Sequence, residues 1–148
     1  MNNIHIRIGA REDLKAVHDL VRELAIYEKG EADFVATLED YQNDFAAGIF
    51  ECLVAEKDHQ IVGMALFYMS YSTWKGRMLY LEDFVVREAV RGHGIGQQLF
   101  DRLVEEARKR SCRLIKWQVL DWNEPAINFY KKYQTHFDGE WVNCNIDF

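Results

Sequence analysis

The amino-acid sequence predicts an α/β fold in which a mixed sheet carries helices on both of its faces. Apolar residues recur at helical spacing over Arg11–Tyr27, and β-branched or aromatic runs bounded by polar turns separate this stretch from later helical ones. A glycine-rich turn joins the run that ends at Val86 to a second long helix. The predicted order is βααβββαβαβ. Because 148 residues suffice for one core and no linker or repeat interrupts them, we expect a single domain over residues 1–148.

The elements of the first half follow from apolar periodicity and from stop signals. The helix over Arg11–Tyr27 keeps its apolar residues on one stripe and ends before Gly30. Thr37, with Asp40 three residues later, has the form of an N-cap, so a second helix begins there and continues to about Ala47. The predicted strands of this half are His5–Ile8, Cys52–Ala55 and Ile61–Tyr71.

The elements of the second half alternate between strand and helix. Asn123 has the form of an N-cap, and a proline two residues later is tolerated in the first turn of a short helix. The other predicted elements are the strand Arg77–Val86, the helix Gln97–Arg110, the strand Leu114–Leu120 and a last strand Trp141–Ile146.

Composition excludes several classes of function. The net charge of −6 argues against a nucleic-acid partner and is compatible with a cationic substrate. The three cysteines are widely spaced and lack metal-ligand spacing, so we expect reduced thiols, no metal site and a cytoplasmic protein. The longest apolar stretch, Ile61–Tyr71, is too short to span a bilayer, and we expect no membrane partner.

The turn Arg91-Gly92-His93-Gly94-Ile95-Gly96 carries the strongest functional signal. Glycines let backbone N–H groups approach a bulky ligand, and the helix N-terminus behind them favours an anion such as a pyrophosphate. Gln97 stands where a P-loop has its lysine and where a Rossmann fingerprint has its last glycine, so neither motif matches. A turn with conveniently placed glycines remains the alternative interpretation.

This turn resembles the acetyl-CoA-binding motif of the GNAT N-acetyltransferases. Leu79–Phe84 and Trp122–Tyr130 resemble the diamine (spermidine/spermine) acetyltransferase subfamily, and Tyr71–Arg77 and Val119–Asn123 are closest to its thialysine N-epsilon-acetyltransferase branch. The resemblance implies the GNAT fold, a mostly antiparallel mixed sheet whose central strands splay apart. It also implies a homodimer, although the residues after Tyr133 depart from the family pattern.

The implied function is transfer of the acetyl group of acetyl-CoA to a small primary amine by direct attack. An alkylamine with a pKa near 10.4 must first lose a proton, and the departing thiolate must gain one. The resemblance gives Glu82 the role of water-mediated base and Tyr130 that of general acid. A paired strand carboxylate and a core tyrosine are the structural alternatives. Because strand side chains alternate, we expect Asp83 to face away from Glu82.

Other site residues follow from the resemblance, which assigns cofactor binding to strand, turn and helix-cap positions. Asn123 has a second interpretation as a helix cap alone. The implied cofactor-binding residues are Phe84, Val85, Val86, Arg91, Gly92, His93, Gly94, Ile95, Gly96, Gln97, Asn123, Glu124, Pro125 and Ala126. The implied substrate-contacting residues are Tyr27, Glu28, Trp74, Glu82, Lys116, Trp117 and Gln118.

The choice of acceptor depends on Ser72. Polyamine-specific members of the subfamily carry an acidic residue there, so the serine favours a shorter, thialysine-like amine over a diamine or polyamine. The alternatives are a protein or peptide N-acetyltransferase and a non-catalytic CoA-binding sensor. A sensor needs neither Glu82 nor Tyr130, and their joint presence favours catalysis.

Overall fold

The computed structural model describes residues 3–148, which fall into two units, one ending at Gln118 and the other running over Val119–Phe148. The first unit contains β1 (Ile4–Ile8), α1 (Leu14–Tyr27), α2 (Leu38–Ala46), β2 (Glu51–Lys57), β3 (Gln60–Ser72), β4 (Gly76–Val86), α3 (Ile95–Lys109) and β5 (Leu114–Lys116), and the second contains α4 (Glu124–Tyr130). Short 3-10 turns lie at Arg11–Asp13, Glu31–Asp33, Glu88–Val90 and Lys131–Tyr133.

The sheet of the first unit has five strands in the order β1-β2-β3-β4-β5. The first four strands pair antiparallel, and β5 joins β4 in parallel, so the expected mixed, mostly antiparallel sheet is confirmed. β5 pairs with β4 only from Met78 to Tyr80, whereas β4 continues to Val86. The two strands therefore part where β4 approaches the glycine turn, which is the expected splay.

Helices cover both faces of this sheet, as predicted. On one face, Val17, Leu20 and Val21 of α1 pack against inward side chains of β2, β3 and β4, with Tyr41 of α2 at the border of the cluster. On the other face, Ile95 packs with Ala55 and Val62. Two faces of one sheet are covered because alternate residues of β2 point to opposite sides.

Local sequence signals place the helix ends. The capping box at Thr37 is confirmed: its hydroxyl accepts from the Asp40 amide at 3.1 Å, and the Asp40 carboxylate accepts from the Thr37 amide at 2.8 Å. α3 begins at Ile95, two residues earlier than predicted, because Gly94 adopts a left-handed conformation with φ of 78° and serves as N-cap.

Two strand predictions near the C-terminus are corrected. β5 ends at Lys116, short of the predicted Leu120. The predicted strand over Trp141–Ile146 is wrong, because this segment has neither helix nor strand structure and its side chains are exposed. Alternating apolar residues favour a strand only where a neighbouring edge supplies hydrogen bonds.

The described residues contain neither a membrane-spanning helix nor a metal-binding cluster. None of the helices over residues 3–148 combines the length and apolar character that a membrane span requires. The same part of the chain contains no group of three or more His, Cys, Asp or Glu side chains arranged to hold a metal ion. The expectation that the reaction needs no metal stays a prediction.

Candidate functional site

A β-bulge in β4 shapes the candidate acceptor site. Leu66 of β3 lies opposite Asp83, and the next residue, Phe67, lies opposite Leu81, so Glu82 is an extra residue in β4. A bulge locally interrupts the ladder and re-aims side chains, and such bulges are common beside active sites. The bulge therefore determines where the Glu82 carboxylate points.

The Glu82 carboxylate is exposed, and a hydrogen bond from a neighbouring strand holds it. Tyr68 donates its hydroxyl to Glu82 Oε1 at 3.1 Å, and over residues 3–148 this is the hydrogen bond that the carboxylate makes. The Tyr68 ring stacks on Tyr80, with ring centroids 5.3 Å apart and planes 24° apart. The remaining lone pairs of Glu82 are thus available to a water molecule or an ammonium group.

Asp83 lies on the same face as Glu82, contrary to expectation. Asp83 is opposite Leu66, which belongs to the cluster under α1. Glu82 receives its hydrogen bond from Tyr68, two residues beyond Leu66 on β3 and therefore on that same face. The expected alternation fails because the bulge inserts one residue between the two register positions.

Three acidic groups and two tyrosines influence one another at this site. Burial, with the negative charges of Glu82 and Glu28, raises the pKa of Asp83 to about 7. Burial also raises the pKa of Glu28, at the end of α1. Burial and the charges of Asp83 and Glu82 raise the pKa of the Tyr41 hydroxyl. Burial, followed by the charge of Glu82, raises the pKa of Tyr68 to about 12, so both tyrosines are neutral hydrogen-bond donors at physiological pH.

The raised pKa of Asp83 predicts a pH-dependent stability cost. Its folded-state pKa of about 7 exceeds the unfolded value, so the native state binds more protons than the unfolded state between about pH 4 and pH 7. Stability from this group is therefore lost as pH rises through that window. We expect the stability of Asp83→Asn, relative to the unsubstituted protein, to increase by roughly 2 kcal/mol from pH 5 to pH 8 in urea unfolding. A constant difference across this range would contradict the assignment.

The glycine turn provides open backbone at the start of α3. Gly92 and Gly94 have φ values of 85° and 78°, and a methyl group at either position would meet no atom within 4 Å. The Arg91 side chain donates from Nε to the Val86 carbonyl at 2.8 Å, which holds a cation at the end of β4.

The N-terminus of α3 presents backbone donors without a side-chain cap. Gly94, the N-cap, makes no side-chain hydrogen bond, and its carbonyl accepts from the Gln98 amide at 3.1 Å. The first-turn amides, of Ile95, Gly96 and Gln97, precede that bond and have no acceptor within the helix. The open turn, the cation and the helix terminus fit a pyrophosphate group.

The second unit carries the predicted cofactor-binding residues at the start of α4 and the predicted general acid at its end. Asn123 is buried and caps the helix, its side-chain oxygen accepting from the Ala126 amide at 3.4 Å. Tyr130 is the last residue of α4; it is 6% exposed, and its carbonyl accepts from Thr135 Oγ1 at 2.6 Å. Glu124 and Pro125 form the exposed first turn.

Some predicted substrate residues of the first unit lie at or beside the acidic site, and the others lie elsewhere. Glu28 lies with Glu82 in the acidic site, and Lys116 is the register partner of Tyr80 beside it. Trp74 lies at the exposed tip of the β3–β4 hairpin. Gly76, two residues later at the start of β4, is six residues from Glu82, or about 20 Å along a strand. Tyr27 and Gln118 are exposed, and the Trp117 ring meets Phe100 edge-on with centroids 5.5 Å apart.

Four residues of this site were not predicted from the sequence. Tyr68 and Tyr80 read as ordinary strand aromatics, Tyr41 as a helix residue, and Asp83 as a side chain on the opposite face. Two adjacent carboxylates within an apolar strand were the one local sign of a bulge, because regular pleating would bury one of them.

Comparison with known proteins gives the family. The model of the acetyltransferase (GNAT) family matches residues 14–134. A thialysine N-epsilon-acetyltransferase from Bos taurus is 38% identical over 139 residues, covering 86% of this chain and 81% of that protein. The spermidine/spermine N(1)-acetyltransferase-like protein 1 of Homo sapiens is 34% identical over 139 residues, covering 88% of this chain and 20% of that protein.

A comparison with solved structures gives the fold independently. The crystal structure of a possible acetyltransferase from Clostridium difficile 630 matches with a TM-score of 0.83 and 18% identity, covering 99% of this chain and 100% of that one. The open turn before α3 and the splay beside it agree with the family match. The chain belongs to the GNAT family and is an acetyl-CoA-dependent amine N-acetyltransferase.

Proposed function

We propose that this enzyme acetylates the side-chain amine of a small, thialysine-like acceptor by direct attack, with Glu82 as water-mediated base and Tyr130 as general acid. The observation that carries the proposal is the bulge in β4, which places an exposed Glu82 carboxylate and a half-buried Asp83 carboxylate on the same face. An ammonium group is attracted to such a site, and its proton has a nearby acceptor.

Glu82 is better suited than Asp83 to receive the amine proton. Glu82 is exposed and keeps unused lone pairs, whereas Asp83 is half-buried and has a pKa raised to about 7. Proton transfer through a water molecule requires access, which Glu82 has. Once the Asp83 carboxyl ionises, its charge adds to the negative potential that attracts the ammonium group.

The cofactor-binding role rests on the residues of the splay and of the turn. Acetyl-CoA supplies the thioester that is attacked. Main-chain groups of Phe84, Val85 and Val86 would hold its pantetheine arm, because a strand edge that opens presents donors and acceptors. The turn Arg91–Gln97 would hold the pyrophosphate. From the second unit, Asn123 would contact CoA, and the Tyr130 hydroxyl, which can donate a hydrogen bond, would return a proton to the departing sulfur.

The proposed acceptor is shorter than a polyamine. Ser72 stands where an acidic residue would pair with a distant second ammonium, and its hydroxyl is engaged by the Lys75 amide at 3.1 Å within the hairpin turn. The relative that is 38% identical carries the name of a thialysine acetyltransferase, which agrees with this choice. Homodimerisation and a cytoplasmic location belong to the same proposal, and sedimentation analysis tests the first.

An acceptor panel tests the proposed substrate. Thiol release from CoA would be followed with thialysine, lysine, spermidine, putrescine and a lysine-containing peptide. We expect kcat/KM for thialysine to exceed that for spermidine. A ratio well below one would favour the polyamine interpretation, and activity on the peptide alone would favour a protein acetyltransferase. Tight CoA binding without activity on any acceptor would indicate a sensor.

Replacing Glu82 by glutamine tests the base. The change keeps the side-chain shape and removes the proton acceptor, so we expect kcat/KM to fall about a hundredfold near neutral pH. The control is Glu105→Gln on α3, which packs on the opposite face of the sheet and is exposed. Equal, small effects of both substitutions would remove Glu82 from the mechanism.

A further inference from the structure

We propose that Lys116 binds the α-carboxylate of an amino-acid acceptor and thereby selects such acceptors over diamines. This inference rests on the proposed function of the acidic site and specifies the chemistry at the far end of the acceptor. It makes Lys116 a specificity-determining residue with no part in proton transfer.

Strand register places Lys116 on the face of the acidic site. Lys116 is the parallel partner of Tyr80, and side chains of directly paired residues project to the same side of a sheet. Tyr80 stacks on Tyr68, whose hydroxyl bonds to Glu82, so all four side chains share one face. Trp117, the next residue, contacts Phe100 of α3 on the opposite face, as alternation requires.

The Lys116 ammonium has no counter-ion among residues 3–148. Its side chain is exposed, and within the part of the chain that the structure describes it forms neither an ion pair nor a side-chain hydrogen bond. The charged groups of the neighbouring site are Glu28, Glu82 and Asp83, which are all acidic. The open face therefore has a negative end and a positive end, which match the side-chain ammonium and the α-carboxylate of a lysine-like amino acid.

The separation of the two ends suits a lysine-length acceptor. Glu82 lies two residues beyond Tyr80 along β4, and Lys116 lies one strand away from Tyr80. With about 3.3 Å per residue and about 4.8 Å between strands, their backbone positions are about 8 Å apart. This distance is comparable with an extended lysine side chain. Tyr80 is next to Lys116 in register and two residues from Glu82, and its ring, which stacks on Tyr68, offers apolar contact to a thioether chain.

The same cation disfavours a diamine. A diamine has no carboxylate to offset its second ammonium group, so it would bring an uncompensated positive charge towards Lys116 when the first ammonium lies at Glu82. Like charges that approach in a cleft reduce affinity, and such repulsion is a usual source of specificity. Lys116 therefore favours one class of acceptor and opposes the other.

Three acceptors of equal chain length separate these effects. They are thialysine, its α-carboxamide and bis(2-aminoethyl) sulfide, which lacks the carboxylate. For Lys116→Met we expect the thialysine-to-carboxamide ratio of kcat/KM to fall about fivefold, the size of a partly exposed ion pair, through KM rather than kcat. Lys116→Arg should retain the ratio. Lys116→Glu should lower it further and raise kcat/KM for the diamine.

Ionic strength and a remote lysine provide controls. Added salt should reduce the thialysine preference of the unsubstituted enzyme and leave that of Lys116→Met nearly constant. Lys109→Met at the end of α3, on the opposite face, should leave the ratio unchanged. An unchanged ratio in active Lys116→Met enzyme would overturn this inference alone. Failure of the unsubstituted enzyme to acetylate any of the three acceptors would overturn the proposed function, and the inference with it.

Discussion

Replacement of Gly94 by aspartate is expected to raise the dissociation constant for CoA about a hundredfold or more, as measured by calorimetry. The change adds a side chain and a negative charge at the N-cap of α3, where the pyrophosphate is proposed to bind. The charge would repel the ligand and compete for the first-turn amides, since an aspartate at an N-cap accepts from them itself.

Gly48→Asp is the matched control for this experiment. Gly48 also has a positive φ, of 74°, and open space around it, but it follows α2, away from the glycine turn. Both substitutions place an aspartate in the left-handed region at a cost of about 1 kcal/mol, and thermal unfolding would check that both variants are folded. Unchanged CoA affinity in folded Gly94→Asp would show that the site assignment is wrong.

The second large effect is expected for Tyr130→Phe. Removing the hydroxyl keeps the ring, which is 6% exposed and packs with Phe129 at 5.6 Å between centroids, so α4 should fold normally. Loss of a general acid lowers kcat by about a hundredfold or more. Steady-state kinetics with a saturating amine would measure this, with thermal unfolding as the check on folding.

Tyr133→Phe is the control for Tyr130→Phe. Tyr133 contacts the same Phe129 ring, with centroids 5.5 Å apart, and the resemblance gives it no catalytic role. We expect it to retain nearly full turnover. If Tyr130→Phe turned over equally well, Tyr130 would be a packing residue and another group would have to protonate the sulfur.

The paired carboxylates give the acceptor site its pH response. Asp83, with a pKa of about 7, gains charge over the same range in which the amine begins to lose its proton. Rising pH thus strengthens attraction for the ammonium form while increasing the reactive form. The rate should climb above neutral pH as the fraction of free amine grows.

Much of the fold could be read from local patterns. The helices α1, α2 and α3, the strands β2, β3 and β4, and the capping box at Thr37 were all predicted, because periodicity and end signals are properties of neighbouring residues. The glycine turn could also be predicted, because the positive φ angles of Gly92 and Gly94 are a local property that glycine permits.

Features that depend on partners distant in sequence could not be read in this way. The bulge at Glu82 arises from pairing with β3. It places Asp83 on the same face as Glu82, whereas strict alternation predicts opposite faces. The position of Lys116 beside Tyr80 depends on the parallel register, and Trp141–Ile146 forms no strand despite its apolar pattern. Local sequence patterns determine which helices and strands form. Strand register and pairing depend on the packing of the whole sheet, because each strand can form hydrogen bonds with more than one neighbouring strand edge.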